Sequence, residues 1–222
     1  ALSYLLYAIA NVATTGVLIF LFKFVLDNQA AYSMTGIIAL VAGLVMAPLY
    51  PILNKRIPRR YLYIGGMTSM IIAYIMLGIF SNNMIMVFVA LVLFYVPGTM
   101  IQMTAILSLT DSIEYGQLKN GKRNEAVTLS VRPMLDKIAG ALSNGIVGFV
   151  VVAAGMVGNA TAADMTAANI RTFKTCAYYL PLAGIVASLV VFLLTVKIDE
   201  NMHAHIVEQL EGRLASEEAD KQ

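Results

Sequence analysis

Charge is scarce in this sequence. Of 222 residues only 13% are charged, against about one quarter in ordinary soluble domains, while 59% are hydrophobic and the mean hydropathy is +0.77. A soluble core cannot absorb that much apolar surface. Cys176 is the only cysteine, which excludes an intrachain disulfide and a cysteine-based metal site. The two histidines, His203 and His205, lie outside every apolar stretch and two apart, on different faces of any helix, so they are given no role as metal ligands. HExxH, GxSxG and Walker motifs are all absent, which leaves a metalloprotease, a serine hydrolase or an ATP-driven pump without its residues. No cofactor is expected. The net charge of +2 comes from bases in short loops, which is no surface for nucleic acid.

What the sequence has is length without charge. No charged residue occurs in Ala1 to Phe22, Asn28 to Asn54, Tyr61 to Thr110, Ile138 to Ala163 or Thr175 to Val196. A helix needs about 20 apolar residues to cross the hydrocarbon of a bilayer, and Ser81, Asn82 and Asn83 divide the longest gap in two. The expectation is an all-α membrane protein, a bundle of six transmembrane helices over residues 1–196. The spans read as Leu2 to Leu26, Ser33 to Leu53, Tyr61 to Phe80, Met84 to Ser108, Ala126 to Ala154 and Lys174 to Val196. Helices are required because lipid offers no partner to an open strand edge. The first span lacks the basic lead and cleavage site of a signal peptide.

Loop charge sets the expected orientation. Lys55, Arg56, Arg59, Arg60, Lys119, Lys122 and Arg123 lie in two loops on one side, against Lys23, Arg171 and Lys174 on the other. This bias puts the two basic loops, and with six spans both chain ends, in the cytoplasm. Residues 197–222 carry seven acids and three bases and read as a cytoplasmic tail.

Polar residues within the spans are the informative ones. Arg132, Asp136 and Lys137 fall in the fifth span, where an ionised side chain costs at least ~2.5 kcal/mol near the bilayer centre. Arg132 and Asp136, four apart, can pair on one helix face. Lys137 shares its face with Gly140, Ala141, Asn144 and Gly148, a stripe that fits either close helix packing or a wet pathway with a fixed charge. Pro133 suggests a kink or the start of the helix. Two further stripes are Tyr4, Tyr7, Asn11 and Thr14 on the first span, and Tyr95, Thr99 and Gln102 on the fourth, beside the helix breakers Pro97 and Gly98. Aromatic rings among amides and hydroxyls suit a sugar, with its apolar CH faces and many hydroxyls; interhelical hydrogen bonding is the competing account.

The segment Thr110 to Lys137 reads TDSIEYGQLKNGKRNEAVTLSVRPMLDK. An acid lies three residues before a second acid followed by Tyr-Gly; Gly-Lys-Arg comes next, and a lysine fourteen residues past the arginine. This resembles the glycoside-pentoside-hexuronide:cation symporters of the major facilitator superfamily, most closely their lactose and galactoside permeases. The opening ALSYLLYAIANVATTGVLIFLFKFVL resembles their seventh transmembrane helix.

The resemblance implies a carboxy-terminal half, helices seven to twelve of a twelve-helix carrier. The function implied is secondary active transport of a sugar, a galactoside such as lactose, by alternating access in a bacterial inner membrane. Tyr4, Tyr7, Asn11, Tyr95, Thr99 and Gln102 are then substrate-binding candidates. Asp111, Glu114, Arg123 and Glu125 match charged positions of a gating loop between helices ten and eleven, and Lys137 matches a lysine near the cation and sugar sites. Arg132 and Asp136 join these as coupling candidates. The coupling ion would be H+ or Na+, with its main site in the amino-terminal half, which becomes the expected partner together with sugar and lipid. The alternatives are a half-transporter acting only as a scaffold, and a membrane enzyme; Glu114 and Lys137, about six helical turns apart on a continuous helix, argue against the second.

Overall fold

The computed structural model describes residues 2–120, 125–195 and Gln209. It contains six helices apolar and long enough to cross a membrane: α1 (Leu2–Val25), α2 (Gln29–Arg56), α3 (Arg59–Phe80), α4 (Met84–Asn120), α5 (Glu125–Ala153) and α6 (Ala167–Thr195). Arg123 and the expected tail, 197–222, fall outside the described residues apart from Gln209.

Several boundaries differ from the hydropathy reading. α4 does not stop at Ser108 but runs on to Asn120, because acids and amides end the contact with lipid without ending the helix. α6 begins at Ala167, before Lys174, where Thr166 and Asn169 form a capping box that satisfies the first free N–H groups. α4 passes unbroken through Pro97 and Gly98, as the span Met84 to Ser108 requires, and Pro133 sits inside α5, which leaves the helix start, one of the two alternatives at Pro133, unrealised. Neighbouring helices support such prolines within a membrane. α5 closes on Gly155, at φ +70, with Met156 N–H bonded to the Val151 carbonyl at 2.9 Å, the left-handed cap for which glycine is suited.

Side-chain size explains the core. Tyr7, Phe22, Met67, Met70, Tyr74, Leu77, Phe94 and Tyr178 are fully buried where α1, α3, α4 and α6 converge. Two pairs of buried hydroxyls bridge helices, Thr14 with Tyr74 at 2.7 Å and Tyr50 with Thr104 at 2.9 Å, whereas the buried Tyr178 hydroxyl has no hydrogen-bond partner among the described residues. α2 is buried least, with Leu40 and Leu44 more than 60% exposed.

The packing has an internal symmetry. α1 packs mainly on α5 and α6, α4 packs mainly on α2 and α3, and α3 meets α6. Exchanging α1, α2 and α3 for α4, α5 and α6 leaves this pattern unchanged. Successive spans alternate in direction, so the two triplets are inverted relative to each other, the repeat architecture of many carriers. One end of the bundle carries the starts of α1, α3 and α5 and the finishes of α2, α4 and α6; it is called the charged end below.

Candidate functional site

The two polar stripes meet. On α1, the Tyr7 hydroxyl donates to the Gly98 carbonyl of α4 at 3.1 Å and is reached by the Gln102 side chain. The Tyr95 hydroxyl of α4 is likewise reached by Thr15, which donates back to the Asn11 carbonyl at 2.9 Å. Thr99 donates to the Tyr95 carbonyl at 3.4 Å. The carbonyl freed by the missing Pro97 N–H is that of Leu93, four residues earlier, and Ser69 of α3 donates to it at 3.2 Å. Asn11, Tyr95, Thr99 and Gln102 are half-buried, whereas Tyr7 and Thr14 are fully buried. A helix face is wide enough that one stripe serves several neighbours: Tyr4 reaches α5, Tyr7 reaches α4 and Thr14 reaches α3.

Tyr4 enters a charged cluster. Its hydroxyl donates to Asp136 Oδ1 at 2.7 Å, and Arg132 Nε approaches the same hydroxyl at 3.5 Å. The expected pair forms, but loosely, with Arg132 Nε 3.9 Å from Asp136 Oδ2. Lys137 is exposed and has no ion pair among the described residues. Its stripe is equally open: a Cβ added at Gly140 or Gly148 meets nothing within 4 Å, and Ala141 and Asn144 are exposed. Within this chain the stripe is therefore not a packing seam.

At the charged end, Asp111 and Glu114 lie on the last turns of α4 rather than in a loop, and Glu125 opens α5. Asp111 pairs with Arg59, the first residue of α3, at 2.5 Å, with 13% and 17% of the two side chains exposed. Sequence reading counted Arg59 only toward orientation, and nothing in its spacing points to a residue 52 positions away. A cavity of about 220 Å³ opens between these groups, lined by Ser3, Tyr63, Asp111, Arg132 and Phe192 among others. Ser3 at its floor donates to the Ser188 carbonyl at 2.9 Å and lies 2.9 Å from the Tyr63 hydroxyl, a buried knot tying α1, α3 and α6. No cluster of three potential metal ligands occurs among the described residues.

A six-helix inverted repeat with a polar seam and an ion-paired end is a carrier architecture, and comparison with known proteins agrees. A family model described as MFS/sugar transport protein matches residues 1–200. The chain belongs to this family. It is 49% identical over its full length to a lactose permease of Lactobacillus helveticus, and 52% identical over 97% of its length to a lactose permease of Leuconostoc lactis. A raffinose carrier protein of Pediococcus pentosaceus is 33% identical over 95% of the chain. The chain spans about a third of the length of these relatives: 34%, 34% and 33%. This family member is accordingly a multi-pass membrane protein of a sugar-transport family, and the galactoside resemblance seen in Thr110 to Lys137 extends along the whole chain.

Proposed function

We propose that this chain is the carboxy-terminal half of a secondary carrier for a galactoside such as lactose. The half works with an amino-terminal half, the two rocking about a midplane sugar site, with H+ or Na+ as coupling ion bound chiefly in the other half. The observation that carries the reading is the meeting of the α1 and α4 stripes, Tyr7 on Gly98 and Gln102, in a chain close to half identical to lactose permeases. Tyr4, Tyr7, Asn11, Tyr95, Thr99 and Gln102 form this half's contribution to the sugar pathway: the half-buried Tyr4 and Tyr95 rings and the Asn11 and Gln102 amides offer both stacking and directional hydrogen bonds, and the fully buried Tyr7 ties the two stripes together behind them. With the basic loops inside, both chain ends face the cytoplasm of the bacterial cell. Asp111, Glu114, Arg123 and Glu125 then form the cytoplasmic gate network, and Lys137 is the fixed charge that links cation occupancy to closure.

The test is galactoside counterflow in proteoliposomes, with this chain alone and with the chain co-reconstituted beside an amino-terminal half from a related carrier. Saturable exchange only in the pair is expected. Exchange absent from a demonstrably assembled pair removes the galactoside assignment and leaves the scaffold alternative standing. A Lys137→Ala carrier that kept full gradient-driven uptake would take Lys137 out of the mechanism.

A further inference from the structure

A second cavity lies at the end of the bundle opposite the charged end. It holds about 460 Å³ and is lined by Lys23 of α1, Asp27 just beyond it, Gln29 that opens α2, and Asn159, Ala160 and Ala162 of the α5–α6 connection, among others. That volume is within the range of small-molecule sites. The backbone of one wall is unusual. α1 finishes in a π-helical turn, Leu21–Val25, a form that recurs at functional sites. Leu26 N–H bonds to the Leu21 carbonyl at 3.0 Å and Asn28 N–H to the Phe22 carbonyl at 2.8 Å, and the residue between them, Asp27, sits at φ +48. Glycine fills such a left-handed cap most easily; here the chain places a carboxylate.

The polar side chains around the cavity fall into two sets. Asn28 accepts from the Ala31 N–H at 3.2 Å, and Asp164 from the Thr161 hydroxyl at 2.7 Å, so these are spent on the turns themselves. The side chains of Lys23, Asp27, Gln29 and Asn159 make no hydrogen bond or ion pair among the described residues; the Lys23 ammonium stands only over the Phe24 ring, 4.8 Å from its centroid. We propose that this cavity is a second sugar-binding site, which takes up a galactoside at the outer end of the carrier before it reaches the α1–α4 stripe. The identity of the sugar and the outward placement rest on the transport reading above.

The uncommitted set fits a neutral polyol. A carboxylate only accepts, an ammonium only donates and two carboxamides do both, which matches ring hydroxyls that each donate and accept. The two formal charges cancel, so neither an anion nor a cation gains net attraction. A metal ion would find one carboxylate where it needs several oxygens. Ala160 and Ala162 leave room for a ring and present only methyl groups to its CH faces. Lys23 is roughly 18 Å along α1 from Asn11, so the cavity is separate from the midplane stripe.

The experiment uses a full-length carrier in right-side-out vesicles, with Cys176→Ala and Ala162→Cys leaving one thiol at the cavity, and follows its alkylation by a membrane-impermeant maleimide. Lactose is expected to slow the reaction severalfold, and equimolar glycine, which carries both charges and no hydroxyl, to leave it unchanged. Asp27→Gly removes the carboxylate while easing the left-handed cap, so Tm holds or rises, and protection then needs about tenfold more lactose. Lys23→Gln moves the protection in the same direction. Protection unchanged in both variants is relayed from the midplane site and overturns the proposal, as does equal protection by glycine, none by lactose, or a thiol that reacts only in inverted vesicles. Lactose counterflow measured in parallel separates the two ideas. Protection lost in Asp27→Gly, in a carrier without counterflow, sinks the transport reading and leaves the site; counterflow without protection sinks the site alone.

Discussion

Arg59 Nη1 lies 2.5 Å from Asp111 Oδ2, fastening the start of α3 to the last turns of α4 at the charged end. Removing one member of a covered pair strands the other, which costs about 3–5 kcal/mol when burial is complete and under about 1 kcal/mol when exposure is complete. With 13% and 17% of the side chains exposed, Asp111→Asn is expected to cost roughly 1–3 kcal/mol. The reversed pair, Arg59→Asp with Asp111→Arg, recovers part of that. Thermal unfolding in detergent checks both, and a Tm unmoved by Asp111→Asn contradicts the argument.

Tyr7→Phe deletes a hydroxyl without changing the ring. The Gly98 carbonyl then loses its buried donor, at a cost of about 1–2 kcal/mol. If the α1–α4 seam carries substrate, uptake falls along with stability, and the loss appears in KM for the galactoside as well as in Tm. Thr14→Val makes the comparison, since it breaks the bond to Tyr74 on the core side. It lowers Tm similarly and leaves KM alone; a matching rise in KM argues that Tyr7 acts only through packing.

The number and type of elements were legible because lipid makes two demands at once, apolar length and internally satisfied backbone, and both are written along the chain. Their ends were less so. Hydropathy reports where lipid contact stops, near Ser108, whereas the helix persists to Asn120 because Asp111 finds Arg59 instead of water. The three stripes were visible as periodicities, yet their partners were not: Tyr4 and Asp136 are 132 residues apart and meet only because α1 packs on α5. Arg132 and Asp136 could be paired from an i, i+4 spacing, but that the pair is loose, with Tyr4 holding the carboxylate, is a tertiary fact.

Outside the membrane, the connection between α5 and α6 carries an acid-sensitive turn. Asp164 Oδ2 accepts from the Thr161 hydroxyl at 2.7 Å and the Thr161 N–H at 2.8 Å, and these bonds hold its carboxyl below the usual range. A carboxyl depressed in the folded state contributes stability above its unfolded value and loses it as pH falls through the folded one. Protection of the Asp164 and Met165 amides, whose N–H groups close the turn, measured against their intrinsic exchange rates, is therefore expected to fall below about pH 4. Thr161→Ala removes the hydroxyl donor but keeps the backbone one, so it weakens that dependence; protection that is flat from about pH 5 to pH 3 in the unmodified protein contradicts it.

Two glycines distinguish contacts inside this chain from contacts with the rest of a carrier. A Cβ at Gly78 would lie 2.7 Å from the Tyr179 ring, so Gly78→Ala must displace an aromatic side chain beside the π-helical turn of α6, with overpacking of about 1–3 kcal/mol. That loss is expected both in this chain alone and in a full-length carrier. At Gly140 the same methyl meets nothing, and replacing a helical glycine by alanine gains about 0.5–1 kcal/mol through the unfolded state. Gly140→Ala should therefore raise Tm slightly in the isolated chain. In the full-length carrier the outcome depends on what covers the stripe shared with Lys137. A gain in Tm with uptake preserved means that the stripe faces lipid or open water. A fall in uptake of about tenfold, which corresponds to ~1.4 kcal/mol, with stability kept in the isolated chain, means that another part of the carrier closes against Gly140 during transport. The proposed role of Lys137 as a fixed charge in that moving gap predicts the second result.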